Sequence, residues 1–276
     1  MKEREEKRKM REALNTFANT AALKVNQLKT SKSKYVTMSM LAGFFIGLGI
    51  ILIFTIGGLL VPSQFGGTKI VMGISFGIAL SLVIMAGADL FTGNNMIMTI
   101  GTLMKKTTWG ETAYVWLFSY LGNFAGSVLV AILFFYSGLA IGDTADFIVT
   151  TASVKMNAPF MELFVRGLLC NILVCLAVWC SVKLKSESAK LIMIFWCLFA
   201  FITSGFEHSV ANMTLLSIAL LVPHPETVTI MGMAANLIPV TLGNIVGGAI
   251  FVGAAYTYGI VEKQPEMPSK QLRESS

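Results

Sequence analysis

His208 is the residue of this chain best placed to do chemistry. Residues Leu191 to Val222 are uncharged types except for Glu207 and His208. The flanking charges, Lys190 and Glu226, each lie 18 residues from His208. An imidazole titrates in the physiological range, so it can relay a proton to a small solute or hydrogen-bond to it. Glu207 either favours the imidazolium or fixes the tautomer of the neutral ring, and the sequence leaves both open. If the segment crosses a membrane, the pair sits near the bilayer centre, where ionisable groups are costly and read as functional.

The other candidate groups read more plainly. Asp89 stands in a similar apolar setting and is expected to bond loop backbone. His224, between Pro223 and Pro225, has no assigned task. Cys170, Cys175, Cys180 and Cys197 all fall inside apolar runs, with no CxxC and no Cys/His metal spacing. They read as packing residues. No metal and no cofactor are expected. Haem or quinone chemistry would want paired intramembrane histidines, and only His208 is intramembrane, so the chain reads as a non-enzyme.

The elements that hold these groups follow from composition. The chain is 55% hydrophobic and 13% charged, about half the charge of a soluble domain, so it reads as a polytopic membrane protein. The basic pI of about 9.1 is not a nucleic-acid signal. Ten of the 21 Lys and Arg precede Tyr35, and eight more are Lys105, Lys106, Lys183, Lys185, Lys190, Lys263, Lys270 and Arg273. The expected topology puts all of these on one side, leaving Lys69, Lys155 and Arg166 at or near the other. That asymmetry places both termini in the cytoplasm of a cell with the protein in its cytoplasmic membrane.

Three regions are expected. Residues 1–34 form a cytoplasmic helix with an apolar stripe at Leu14, Phe17, Ala21, Val25 and Leu28, lying on the membrane surface or against a neighbouring subunit. Residues 35–261 hold six transmembrane helices, and 262–276 form a cytoplasmic tail. The spans run from about Tyr35 to Val61, between Lys69 and Lys105, from about Thr112 to Ile141, Phe160 to Val182, Leu191 to Val222, and Val228 to Val261. The loop 143–158 would be external.

Spans two and five are too long. As continuous helices they would reach ~48 to ~52 Å against a hydrocarbon core of ~30 Å, and each carries break chemistry at its centre. Gly87-Ala-Asp89-Leu-Phe-Thr92-Gly93-Asn94-Asn95-Met96 lies in one and Ser204-Gly205-Phe-Glu207-His208-Ser209-Val-Ala-Asn212-Met213 in the other. Each is followed by an echo, Leu121-Gly122-Asn123-Phe-Ala-Gly126 and Leu242-Gly243-Asn244-Ile-Val-Gly247. The fold class expected is therefore all-α: two three-helix units, the second inverted, with helices two and five broken at mid-membrane. Such repeats place the solute path between them near the midplane.

These stretches resemble the formate/nitrite transporter family. Leu90-Phe91-Thr92-Gly93-Asn94-Asn95-Met96 and Gly205-Phe206-Glu207-His208-Ser209-Val210-Ala211-Asn212-Met213 match its two signature stretches. Ala42-Gly43 through Phe54-Thr55, and Trp196 to Phe201, are particularly similar to the nitrite-channel branch. The resemblance implies an aquaporin-like fold, a homopentamer with one pore per subunit, and transport of small weak-acid anions: nitrite first, formate second, hydrosulfide third. It puts the central histidine at His208, its threonine partner at Thr92, a pore asparagine at Asn171 and a mouth lysine at Lys155. It puts two apolar constrictions at Leu80 with Phe201, and at Phe76 with Leu90 and Val174. Water conduction is not expected, since the paired Asn-Pro-Ala motifs of aquaporins are absent.

An anion in hydrocarbon meets a barrier of many kcal/mol. The charge must be compensated or removed. Lys155 can concentrate anions, broken helices can point positive ends inward, and His208 can lend a proton so that the neutral acid crosses the apolar rings. The partners so implied are the anion, protons and the lipid bilayer.

Overall fold

A computed structural model describes residues 2–261, so the expected tail at 262–276 lies outside the described residues. The chain is helical throughout its long elements: α1 Lys2–Thr30, α2 Lys32–Leu60, α3 Thr68–Ser75, α4 Gly77–Met85, α5 Phe91–Leu103, α6 Trp109–Tyr136, α7 Gly142–Met156, α8 Phe160–Lys183, α9 Glu187–Thr203, α10 Ser209–Leu221, α11 Ile230–Val246 and α12 Ala255–Ile260. A π-helical stretch, Gly247–Ala254, joins α11 to α12 without a turn. Among the described residues, five helical stretches are long and apolar enough to cross a membrane: Lys32–Ser63, Thr68–Met85, Trp109–Tyr136, Phe160–Lys183 and Ile230–Ile260. The apolar run Leu191–Val222 is divided between α9 and α10, of 17 and 13 residues.

Apolar side chains cannot drive helices together in lipid, which is as apolar as they are, so small residues and buried polar bonds do it instead. Helices α2 and α6 cross at Gly43 and Gly126. A Cβ at Gly43 would lie 2.0 Å from the Asn123 carbonyl oxygen, and one at Gly126 would lie 1.9 Å from that of Met40. Helices α8 and α11 cross in the same manner, with Gly243 against the Phe164 carbonyl and Gly247 against that of Leu168.

The stripe of α1 is buried, but against this chain itself. Leu14, Phe17, Ala21 and Leu28 are all at most 2% exposed. Phe17 stacks on Trp179 of α8 at 5.4 Å, and Ala21 meets Gly101 of α5. This corrects the expectation of a surface-lying helix: periodicity defines an apolar face and does not say what covers it. Residues 143–158, expected as a loop, are mostly α7, which buries Ile148, Val149, Ala152 and Met156.

Both breaks are turns of one kind. Gly87 has φ +76° and Gly205 φ +75°, the left-handed region that favours glycine. After each, a backbone N–H reaches five residues back: Ala88 to the Val83 carbonyl at 2.9 Å, and Phe206 to that of Phe201 at 3.0 Å. The next N–H leaves its own helix for a neighbouring one, Asp89 to the Met38 carbonyl of α2 and Glu207 to the Arg166 carbonyl of α8. Leu90 and His208 are then extended and occupy the N-cap positions of α5 and α10.

Candidate functional site

Breaking a helix at membrane depth exposes backbone groups that water cannot reach. Two asparagines satisfy them. Asn123 Oδ1 accepts the Phe91 N–H at 2.9 Å, and its Nδ2 donates to the carbonyls of Ser39 and Asp89. Asn244 Oδ1 accepts the Ser209 N–H at 2.9 Å, and its Nδ2 donates to those of Gly167 and Glu207. Both asparagines are fully buried. The sequence singles them out in the two echo motifs but gives no task; the signal was there in the repeat.

A carboxylate sits at each break, held by side chains. Lys24 of α1 donates to Asp89 Oδ2. Tyr35 Oη at 2.8 Å and Asn94 Nδ2 at 2.5 Å donate to Oδ1. Lys155 of α7 donates to Glu207 Oε2 at 2.6 Å, as does Asn212 at 2.6 Å. Asn236 in turn ties the Lys155 carbonyl to Asn212. Asp89 was expected to bond loop backbone, and bonds side chains of α1, α2 and α5 instead. Lys24 and Tyr35 lie 65 and 54 residues from Asp89, and Lys155 52 from Glu207, beyond what local spacing reveals.

His208 lies between the two breaks and is 3% exposed. Its Nδ1 accepts the Ala211 N–H at 3.1 Å, capping α10. A nitrogen that accepts carries no hydrogen, so the neutral ring holds its proton on Nε2. Nε2 faces Thr92 Oγ1 at 3.0 Å, which makes the threonine oxygen the acceptor and leaves its hydroxyl hydrogen to donate elsewhere. The ring lies nearly parallel to Phe201, 6.0 Å centre to centre. Asn171 donates to the carbonyls of Thr92 and Asn244 at 3.2 and 2.6 Å, and to Asn95 Oδ1. It ties the start of α5 to α11 and lines neither cavity described next.

A cavity of about 270 Å³ opens onto His208, lined by Lys69, Lys155, Arg166, Phe201, Glu207 and Asn212 among others. Beyond Phe201 lies a second, much smaller space of about 10 Å³ among Ile46, Phe76, Leu80, Leu90, Val174, Leu198, Phe201 and His208. So all five expected constriction residues meet around the histidine. Phe76 also packs edge-on to Phe201 at 5.7 Å. The small space is at the lower limit for one water. A further cavity of about 300 Å³, lined by Lys34, Tyr35, Met38 and Asp89, opens at the α1–α2 junction. Among the described residues no cluster of three His, Cys, Asp or Glu could hold a metal.

The family model described as Formate/nitrite transporter matches residues 11–258. The chain belongs to the formate/nitrite transporter family. Its members are membrane transporters, and the apolar helices make this chain a multi-pass membrane protein. It is 47% identical to the nitrite transporter NirC of Escherichia coli (strain K12) over 221 residues, 80% of this chain and 81% of that protein. Among solved structures, an "FNT family ion channel" superimposes with a TM-score of 0.86 at 41% identity, over 90% of this chain and 98% of the other. A "Pentameric formate channel with formate bound" superimposes with a TM-score of 0.75 at 29% identity, over 85% and 99%.

Proposed function

We propose that this protein carries small monovalent weak-acid anions across the cytoplasmic membrane, nitrite in the first place and formate in the second. It does so as a homopentamer of six-span subunits. In each, an inverted pair of three-helix units brings two broken helices together, with both termini in the cytoplasm. Identity to a nitrite transporter over four-fifths of the chain supports the substrate. The contact between His208 and Thr92, closed in by Phe76, Leu80, Leu90, Val174 and Phe201, is the observation that carries the mechanism.

An anion in the larger cavity sits before the N-terminus of α10, whose partial positive charge favours it. It cannot cross the apolar ring charged. His208 as it stands is a hydrogen-bond donor through Nε2 and not an acid, since its second proton must go to Nδ1. Protonating Nδ1 breaks the cap to Ala211. The proposed cycle is therefore loading of a proton on Nδ1 as that bond opens, transfer of the Nε2 proton to the anion, and passage of the neutral acid. The proton travels with its anion; the ring, left with a proton on Nδ1, takes a new one on Nε2 and releases that on Nδ1, and only then can the cap to Ala211 re-form.

His208→Asn tests this, because asparagine is a good N-cap residue and keeps the helix end while removing the titrating group. In proteoliposomes the variant is expected to fold, and to lose nitrite flux on the order of 100-fold together with its pH dependence. Unchanged flux with unchanged pH dependence would overturn the proton role. Wild-type flux compared for nitrite, formate and hydrosulfide across pH ranks the substrates.

A further inference from the structure

Helix α1 carries two heptad rows on one face. Lys7, Leu14, Ala21 and Leu28 form one, and Arg4, Arg11, Ala18 and Val25 the other. A seven-residue step drifts only ~20° around a helix, so each row keeps to one side. From Leu14 onward both rows are buried. On the same side Phe17 stacks on Trp179 of α8, which in turn meets Tyr256 of α12 at 4.1 Å. The first three turns place cations in these rows, with Arg8 beside them. The helix thus aims this charge where it aims its apolar residues, toward the spanning helices. Lys7, Arg8 and Arg11 line a cavity of about 450 Å³ with Met10, Gly259 and Ile260. No acid is among its described lining residues. The acids of these turns are drawn elsewhere, Glu5 to Lys9 and Glu6 to Lys183. Glu12 lies 3.7 Å from Arg8 in a solvent-exposed pair, which offsets little of the charge. Gly259 and Ile260 end the last stretch long enough to cross the membrane, Ile230–Ile260. Tyr258 beside them is 88% exposed, as aromatics of the membrane interface are. The cavity therefore opens at the membrane edge, at headgroup depth.

We infer that this cavity binds the headgroup of an anionic phospholipid, held by Arg8 and Arg11. Guanidinium groups take phosphate oxygens in pairs, and basic pockets at the ends of spanning helices suit anionic headgroups. Met10 and Ile260 offer an apolar wall to the start of the acyl chains. A soluble phosphate ester gains the charge contact and not the wall. The bound lipid joins the first turns of α1 to the end of α12. It covers the charged part of a face whose apolar part Trp179 already covers. The inference requires only that the chain spans a membrane, and so stands apart from the choice of transported anion.

The test is native mass spectrometry of the whole chain, purified in neutral detergent and titrated with phosphatidylglycerol or with phosphatidylcholine of the same acyl chains. Phosphatidylglycerol should bind about tenfold more tightly. One basic side chain beside an anionic headgroup is worth about fivefold in affinity. Binding should thus weaken about fivefold in Arg8→Gln and in Arg11→Gln, and about thirtyfold in the double variant. Lys9→Gln removes the same charge from α1 outside the cavity and should bind as the wild type does. Equal binding of the two lipids, the outcome if protein fills the cavity, would overturn the site. Weakening in Lys9→Gln to match that in Arg8→Gln would overturn it too, since surface charge alone would then attract the lipid. Displacement of phosphatidylglycerol by an equal concentration of sn-glycerol 3-phosphate would overturn the lipid assignment in favour of a soluble phosphate ester. A protein that carried no nitrite yet bound phosphatidylglycerol in this manner would leave the site standing.

Discussion

Before α5 the chain turns at Gly87, presents Asp89 to a lysine and an asparagine, and caps the new helix with Leu90. Before α10 it turns at Gly205, presents Glu207 to a lysine and an asparagine, and caps the new helix with His208. A buried asparagine braces each turn with three equivalent bonds. The two breaks thus share one frame and differ at the cap. The lesson is a separation of tasks. The frame is the solution to a backbone problem and is used at both breaks. The imidazole stands at one cap only, and the equivalent position carries the apolar side chain of Leu90.

That comparison can be broken or sharpened by substitution. The largest effects belong to the bracing asparagines. Asn123→Leu strands the Phe91 N–H and the Asp89 carbonyl, and Asn244→Leu the Ser209 N–H and the Glu207 carbonyl, at ~1–3 kcal/mol per group. Both variants should lose about 4 kcal/mol or more, read as a lower thermal midpoint of the purified protein in detergent. If one proved mild and the other severe, the two frames would not be equivalent. Lys155→Met comes next, at about 3 kcal/mol, because it takes from buried Glu207 its only cation among the described residues. Lys24→Met should cost less, about 2 kcal/mol, since Asp89 keeps Tyr35 and Asn94.

Exchanging the caps asks whether the histidine works from either side. Leu90→His puts an imidazole into the crowded 10 Å³ space and should cost about 2 kcal/mol. The double exchange Leu90→His with His208→Leu should not restore flux. The residue two beyond the cap is Thr92 in the first break but Val210 in the second, so the moved ring meets no hydroxyl. Wild-type nitrite flux in the exchanged protein would show that the frame alone decides. The smallest effects belong to the turns. No atom lies within 4 Å of an added Cβ at Gly87 or Gly205, so Gly87→Ala and Gly205→Ala should each cost only the backbone penalty, about 1 kcal/mol. Equal shifts in thermal midpoint are expected.

The breaks were legible in the sequence because they leave marks in length and in repeated types. A run of more than 30 apolar residues overshoots a bilayer, and Gly, acid and Asn-Met recur in both. His208 and Glu207 were legible because charge is conspicuous in such a run. What was hidden involves partners distant along the chain. Nothing local to Glu207 points to Lys155, 52 residues earlier, or local to Asp89 points to Lys24. The capping bond of His208 depends on a side-chain rotation, which no spacing encodes. Helix α7 was missed because Asp143, Thr144, Asp146, Thr150 and Thr151 read as a polar loop; its buried face is narrow.

The burial of the α1 stripe has a consequence for how the protein is made. Helix α1 leaves the ribosome before the elements that cover it, since Gly101 of α5 and Trp179 of α8 come about 70 and 150 residues after its end. At ~5–20 residues per second, the stripe waits several seconds for the first and longer for the second. In that interval the membrane surface is the natural cover for Leu14, Phe17 and Leu28. The lipid-lying helix that the sequence pattern describes is then a stage in biosynthesis, and the docked helix its end point.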